Sequence, residues 1–290
     1  MVAVSATSPL TVLESGSLTA YWRFQRAVAA AQLQAWLPPR GRILVDISGP
    51  QASCAAQAAA SGYAVIQVLP QLPNVRDLPT AAPPAVPGLP RRHPGSRPPR
   101  GRLAKVVADS ASLSFLADGS VDGVIADDGA LSRHIMAEDV AAEIARVLRP
   151  GGQLLACVDS LVLGMSILAE QHHWAQLTDL PRAEVVLVPW PDGRITRCFG
   201  PEQLSDLLTE AGLEVSWIRP RTVLSPSMVD HVLRKDPRAV MRLVRAELAA
   251  VAEDSAAAGG NESFGIFLLA AARKPGPHPA AVRQPSPSAR

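Results

Sequence analysis

Asp46-Ile47-Ser48-Gly49-Pro50-Gln51-Ala52 joins a short apolar run, Arg42 to Ile47, to an Ala-rich segment. A strand that passes through a small-residue turn into a helix presents backbone N–H groups and a helix N-terminus to a ligand. Small residues there let an anionic or zwitterionic molecule approach the main chain. A strand, a turn and a helix with one glycine occur in any α/β protein, so this stretch alone names no ligand. Other reactive side chains are spread thinly. Cys54, Cys157 and Cys198 are far apart and form no CxxC pair, which gives no sign of zinc or a redox couple and fits a reducing cytoplasm. His172 and His173 are adjacent, a spacing that chelates poorly from one helix face, so no metal is expected.

The elements that must hold the turn follow from hydrophobic periodicity. Leu18 to Leu37 carries Leu18, Tyr21, Trp22, Ala29, Leu33 and Trp36 at near-helical spacing and is stopped by Pro38-Pro39. Ala52 to Ala60 reads as a helix ended by Ser61-Gly62, and Ala64 to Leu69 as a strand covered on both faces. From Pro70 to Arg102 prolines recur so often that neither a helix nor an interior strand persists, and the stretch reads as an inserted loop or unstructured excursion. Strands are expected next at Ala104 to Ala108, Val121 to Ala126 and Gln153 to Val158, with an amphipathic helix at Ala137 to Leu148 closed by a sharp turn at Arg149-Pro150-Gly151-Gly152. Downstream, a helix is expected at Pro201 to Ala211, a strand at Glu214 to Ile218, a helix at Asp236 to Ala252 with Pro237 in its first turn, and a closing strand at Gly265 to Ala272. Strands separated by helices or long crossovers imply a parallel sheet wound right-handedly.

Composition narrows the function classes. The 290 residues are 48% hydrophobic and 19% charged, which fits one large core and excludes a disordered chain. The formal charge of +2 is accounted for by Arg91, Arg92, Arg97, Arg100 and Arg102, all in the Pro-rich stretch. The remainder is close to neutral and shows no basic face with interleaved aromatics, so no nucleic-acid partner is expected. No basic n-region leads into an apolar core in the first residues and no apolar run reaches the ~18 residues of a membrane span, so a soluble cytoplasmic protein with no export signal and no membrane partner is expected. Nothing in the sequence sets the oligomeric state.

The block from Val106 to Ala156 carries the most specific pattern. It holds Asp109-Ser110-Ala111, Leu113-Ser114-Phe115, Asp118-Gly119-Ser120-Val121-Asp122, and Glu143-Ile144-Ala145-Arg146-Val147-Leu148-Arg149-Pro150-Gly151-Gly152 in that order. This closely resembles the corresponding block of class I S-adenosylmethionine-dependent methyltransferases of the methyltransferase type 11 kind. The segment from Cys198 to Val215 and the closing strand ending Ala272-Arg273-Lys274-Pro275 extend the resemblance. It implies a doubly wound, mostly parallel seven-stranded α/β sheet of the Rossmann-like methyltransferase fold. The domain would span residues 18–275 with the Pro-rich insertion at 70–102, between a flexible N-terminus at 1–17 and a disordered tail at 276–290.

The resemblance also implies S-adenosyl-L-methionine as cofactor and a small molecule as methyl acceptor. Asp46 would act through the loop backbone on the methionine portion, with Ser48, Gly49 and Pro50 lining it. Asp109 would accept a hydrogen bond from the adenine amino group, as a charged acceptor worth about 1–3 kcal/mol. Ser110 and Ala111 would lie beside the ring, and Asp127 and Asp128 would close the pocket. His134 is a weak candidate base, an imidazole at the surface or the edge of the core being the other account of it, and His172-His173-Trp174 could line the acceptor pocket. Trp190 and Trp217 are read as core or as a border of that pocket.

Two positions depart from the pattern. The family's glycine-rich loop becomes Ser48-Gly49-Pro50-Gln51-Ala52, in which Pro50 removes a backbone donor. Leu69 stands at the cofactor-site position where an acidic residue would bind the ribose, with Gln71 nearby as a neutral substitute. The expected activity is methyl transfer, and the alternative is a methyltransferase-like protein without catalytic activity that acts as a binding or regulatory partner. A nicotinamide-dependent oxidoreductase is disfavoured because the GxGxxG fingerprint is missing.

Overall fold

The computed structural model of the chain describes residues 19–38, 43–50, 52–70, 101–180, 183–190, 192–257 and 265–276. In chain order the elements are α1 (Thr19–Trp36), β1 (Ile43–Asp46), α2 (Cys54–Ala60), β2 (Ala64–Leu69), β3 (Arg102–Val107), β4 (Val121–Ala126), α3 (Ala137–Val147) and β5 (Leu148–Asp159). There follow α4 (Leu161–Glu170), α5 (Trp174–Asp179), β6 (Val186–Pro189), β7 (Ile195–Cys198), α6 (Pro201–Glu210), β8 (Glu214–Arg221), α7 (Pro226–Lys235), α8 (Val240–Ala257) and β9 (Phe267–Arg273).

Seven strands form one sheet in the order β3-β2-β1-β4-β5-β9-β8. The first five run parallel, and β9 is antiparallel to both β5 and β8. The order reverses between β1 and β4, so the carboxyl ends of those strands open a crevice where a doubly wound sheet binds its ligands. Strand alternation sorts the core onto two faces. Val124 and Ala126 pack with Val45, Leu154 and Ala270 under α3 and α6, whereas Ile125 joins Leu44, Leu155 and Leu269 under α1 and α2. In that second layer Leu33, fully buried, contributes about 2 kcal/mol by the usual value for a leucine.

Two additions surround this sheet. Tyr21, Phe24 and Val28 of α1 pack against Val229 and Leu233 of α7 and Val244 of α8, so the leading helix is clasped by the late helices. The hairpin β6–β7 packs Val186, Val188 and Cys198 on Leu163 and Ile167 of α4.

Several expected boundaries shift. Arg102 is the first residue of β3, paired with Ala64, so the ordered sheet resumes inside the stretch read as an insertion to residue 102. The turn expected at Arg149-Pro150-Gly151-Gly152 is drawn into β5, because the Gly151 N–H donates to the Lys274 carbonyl and the Lys274 N–H to that of Gly152. The helix expected at Asp236 to Ala252 begins as a 3-10 turn at Pro237–Ala239 and continues as α8, Asp236 capping the turn by accepting the Arg238 N–H. β8 runs on to Arg221 through Pro220, which an edge strand tolerates. Residues 71–100, the N-terminus at 1–17 and the tail from 277 lie outside the described residues.

Candidate active site

The turn after β1 is fixed from below and from the side. Asp46 is fully buried and its Oδ1 accepts the Ser48 N–H at 2.9 Å. Burial, with Asp127 nearby, pushes the Asp46 carboxyl up to about 6. Ser48 Oγ accepts the Asp127 N–H at 2.9 Å and so stitches the ends of β1 and β4 together. Arg133 lies across the turn, its Nη2 donating to the Ser48 carbonyl at 2.8 Å and its Nη1 to the Asp128 carbonyl. Gly49 has φ of +100°, and a Cβ there would sit 3.3 Å from Arg133 Nη2, so glycine satisfies both the backbone and the close approach.

Ser48, Gly49 and Pro50 form one wall of a cavity of about 590 Å³. Val68 and Pro70 line it from β2, Asp109 and Ser110 from the end of β3, and Asp128, Arg133 and His134 from the segment after β4. His134 Nε2 is 2.8 Å from Ser110 Oγ. Desolvation, reinforced by Arg133 and opposed by Asp109, lowers its pKa and leaves the imidazole neutral at pH 7.

The 109–118 segment owes its position to the motif on α3. Glu143 accepts the Leu113 N–H at 2.8 Å, and Arg146 donates to the carbonyls of Leu113 and Leu116 and to Asp118 Oδ1. Arg146 is in turn held by Glu143. Asp109 makes the first turn of the segment, its Oδ1 accepting the Ala111 N–H at 2.9 Å. The Glu143–Arg146 pair thus clamps the loop that presents Asp109 and Ser110 to the cavity.

Next to this cavity lies a second, of about 800 Å³, walled by Trp22, Leu163, Trp190 and Phe267 and faced by Asp159, Asp192, Arg194 and Thr196. Asp128 and Arg133 line both cavities. Beneath them Asp127 is buried with Arg221 Nη1 at 2.5 Å, Cys54 Sγ donates to its Oδ2, and Gln32 takes the Arg221 Nε–H. Burial alone would raise the Asp127 pKa, but the Arg221 charge and the hydrogen bonds outweigh it and hold the carboxyl below the ordinary range.

Residues 91–156 match the family model described as a methyltransferase domain. The matched stretch runs from β3 into β5 and holds Asp109, Ser110 and the Glu143–Arg146 pair. The fold of the chain is similar to an S-adenosylmethionine-dependent methyltransferase of Methanosarcina mazei, with a TM-score of 0.51 and 19% identity over 85% of this chain and 98% of the other. It is likewise similar to a protein assigned as an S-adenosylmethionine-dependent methyltransferase of Listeria monocytogenes, with a TM-score of 0.53 and 13% identity over 87% and 98%. No curated protein matches the chain by sequence. Among the described residues, no helix is long and apolar enough to cross a membrane.

The residues of the crevice suit this cofactor's chemistry. A carboxylate, Asp109, and a guanidinium, Arg133, line one cavity with the glycine turn, where the lack of a Cβ at Gly49 leaves the main chain within reach. Of the residues read from the sequence, Ser48, Gly49, Pro50, Asp109, Ser110, Asp128 and His134 line this one cavity. Asp46, Ala111 and Asp127 support it from behind, through the Ser48 N–H, the Asp109 turn and the Arg221 pair respectively. Leu69 does not line this cavity: strand alternation turns it to the other face of β2 from Val68, and Val68 and Pro70 line the wall there. His172-His173-Trp174 is corrected, since it forms the turn between α4 and α5, with His172 and Trp174 exposed, and borders neither cavity. Trp190 borders the second cavity, whereas Trp217 packs on the opposite face with the α1–α2 layer.

Arg133, Asp159, Thr196 and Arg221 were not singled out from the sequence. Arg133 had one available signal, a lone cation just beyond the end of a buried strand and beside His134. The pairing of Arg221 with Asp127 had none, since 94 residues separate them.

Proposed function

We propose that the chain is an S-adenosylmethionine-dependent methyltransferase that transfers a methyl group to a small-molecule acceptor, with the cofactor in the 590 Å³ crevice and the acceptor in the adjoining 800 Å³ chamber. The observation that carries this reading is that Asp128 and Arg133 line both cavities, so a group held in one meets a group held in the other. When bound, the cofactor supplies an electrophilic methyl group on a sulfonium. Asp109 would accept a hydrogen bond from its adenine amino group, beside Ser110 and Ala111. Ser48, Gly49 and Pro50 would line its methionine portion, and Arg133 would pair with the carboxylate there.

Methyl transfer of this kind needs a nucleophile aligned and water excluded more than it needs a fixed acid or base. Arg133 and the Asp128 backbone set the boundary across which that alignment occurs. His134 stands on the crevice wall with Ser110 and outside the acceptor chamber, so its role here is to orient Ser110 rather than to take a proton from the acceptor.

Calorimetric titration with S-adenosylmethionine and S-adenosylhomocysteine tests the reading. Micromolar binding that weakens on Asp109→Ala is expected. A well-folded chain that gives no heat with either compound overturns it and favours the non-catalytic alternative, for which Pro50 and the Ser48 and Gly49 carbonyls already engaged by Arg133 and Gln67 would then be the explanation.

A further inference from the structure

The charged groups facing the larger chamber do not balance. Asp128, Asp159 and Asp192 stand against Arg133 and Arg194. Both arginines are already engaged. Arg194 Nε is 2.5 Å from Asp192 Oδ2, and its guanidinium lies 5.2 Å from the centre of the Trp190 ring. Arg133 donates to the Ser48 and Asp128 carbonyls and lies 3.9 Å from the Asp128 carboxylate.

Asp159 is the carboxylate that remains. It ends β5, and its Oδ2 accepts the Thr196 hydroxyl at 2.5 Å. Among the described residues it forms no ion pair. Burial raises its pKa against the opposing effects of Thr196, Arg133 and Arg194. A desolvated carboxylate with only a neutral partner is costly until a cation reaches it. The walls beside it are Trp22 and Phe267, whose rings attract an ammonium group, and Trp190, one face of which holds the Arg194 guanidinium; together their area suits a flat apolar body. An anionic occupant would face three carboxylates against two arginines, of which Arg194 is paired with Asp192 and Arg133 is turned toward the Ser48 and Asp128 carbonyls.

We propose that the acceptor is a small arylalkylamine carrying one positive charge, its ammonium group received by Asp159 and its ring held among Trp22, Trp190 and Phe267. Asp159 is then the specificity-determining residue of the chamber. Calling the occupant an acceptor rests on the methyl-transfer reading, in which the nitrogen passes one proton to the Asp159 carboxylate before its lone pair takes the methyl group and the cofactor leaves as the thioether; the binding test needs no cofactor.

The probes are 2-phenylethylamine, 2-phenylethanol and 3-phenylpropionate, titrated onto the full chain and followed by ligand-observed NMR. The amine is expected to bind at least about tenfold more tightly than the alcohol, and the carboxylate not at all. Asp159→Asn, which keeps an acceptor for the Thr196 hydroxyl, should bring the amine and the alcohol within about twofold of each other, with folding checked by thermal melting. Trp190→Leu is a second variant, expected to weaken the amine by about threefold or more through loss of an aromatic face. Equal binding of amine and alcohol, tighter binding of the carboxylate, an unchanged ratio in folded Asp159→Asn, or no amine binding at millimolar concentration would each overturn the proposal. Silence toward S-adenosylhomocysteine with the amine preference intact removes methyl transfer and leaves a cationic-amine site. Binding of S-adenosylhomocysteine without that preference removes this assignment alone.

Discussion

Arg221 Nη1 lies 2.5 Å from Asp127 Oδ1, joining the end of the edge strand β8 to the end of β4 across 94 residues of chain, and both side chains are buried. Gln32 of α1 and Cys54 of α2 complete the cluster, so elements from both ends of the sequence meet directly beneath the crevice. A buried pair is costly to assemble, yet removing one partner leaves a charge with nothing to offset it.

Arg221→Met is therefore expected to destabilise the chain by about 3–5 kcal/mol, whereas the double variant Asp127→Asn with Arg221→Met should recover most of that loss. Urea unfolding of the four proteins of this cycle measures the coupling. Single-variant losses that simply add would show that the pair is not coupled.

Gly49→Ala tests the turn. The positive φ and the 3.3 Å approach to Arg133 act together, so a destabilisation of about 1–2 kcal/mol is expected, along with weaker S-adenosylhomocysteine binding as Arg133 is displaced. A variant that matches the wild type in both denaturation and titration would remove the turn from the site.

Arg146→Ala tests the clamp on the 109–118 segment. Its loss leaves the Leu113 and Leu116 carbonyls and the Asp118 carboxylate without that donor and leaves Glu143 with the Leu113 N–H, at a cost of about 1–3 kcal/mol. Because Asp109 begins the same segment, S-adenosylhomocysteine affinity should fall several-fold. Hydrogen exchange should rise at Leu113, whose N–H is held by Glu143. Unchanged exchange there would mean that the α3 motif does not hold the loop.

The sheet was legible because its strands are short buried runs between breakers: β2 and β4 begin and end where their apolar stretches do. The block on β3, β4 and α3 was legible through residue types at fixed spacing, and the Glu143–Arg146 clamp gives the physical reason for part of that spacing. α4, α5, the β6–β7 hairpin and α7 were not recognised as elements. α4 is nearly all apolar and lacks a clear helical stripe, α5 is a short helix with no buried residue, and the hairpin strands have four residues each. Leu163 of α4 and Ile195 and Thr196 of β7 line the larger cavity, so the sheet could be read ahead of the structure while that cavity could not. Leu69 was misplaced for a simpler reason, since a shift of one residue on a strand exchanges the two faces.

Asp46 gives a pH prediction with a definite sign. Its folded pKa of about 6 lies above the ordinary carboxyl value of 3.8, so the folded chain binds its proton more tightly than the unfolded chain does. The stabilisation is complete below the unfolded value and is lost as pH rises through about 6, above which a buried carboxylate weakens the fold. Asp46→Asn keeps an acceptor for the Ser48 N–H and cannot titrate. Relative to the wild type, it should therefore gain about 2 kcal/mol between pH 4.5 and pH 7.5, at 1.36 kcal/mol per pKa unit. The rise of Asp128 to about 6 is common to both proteins and cancels in the comparison. Chemical denaturation of the two proteins at each pH measures the difference. A stability difference that does not change with pH would mean that the Asp46 carboxyl is already ionised throughout this window, with the Ser48 turn alone compensating its burial.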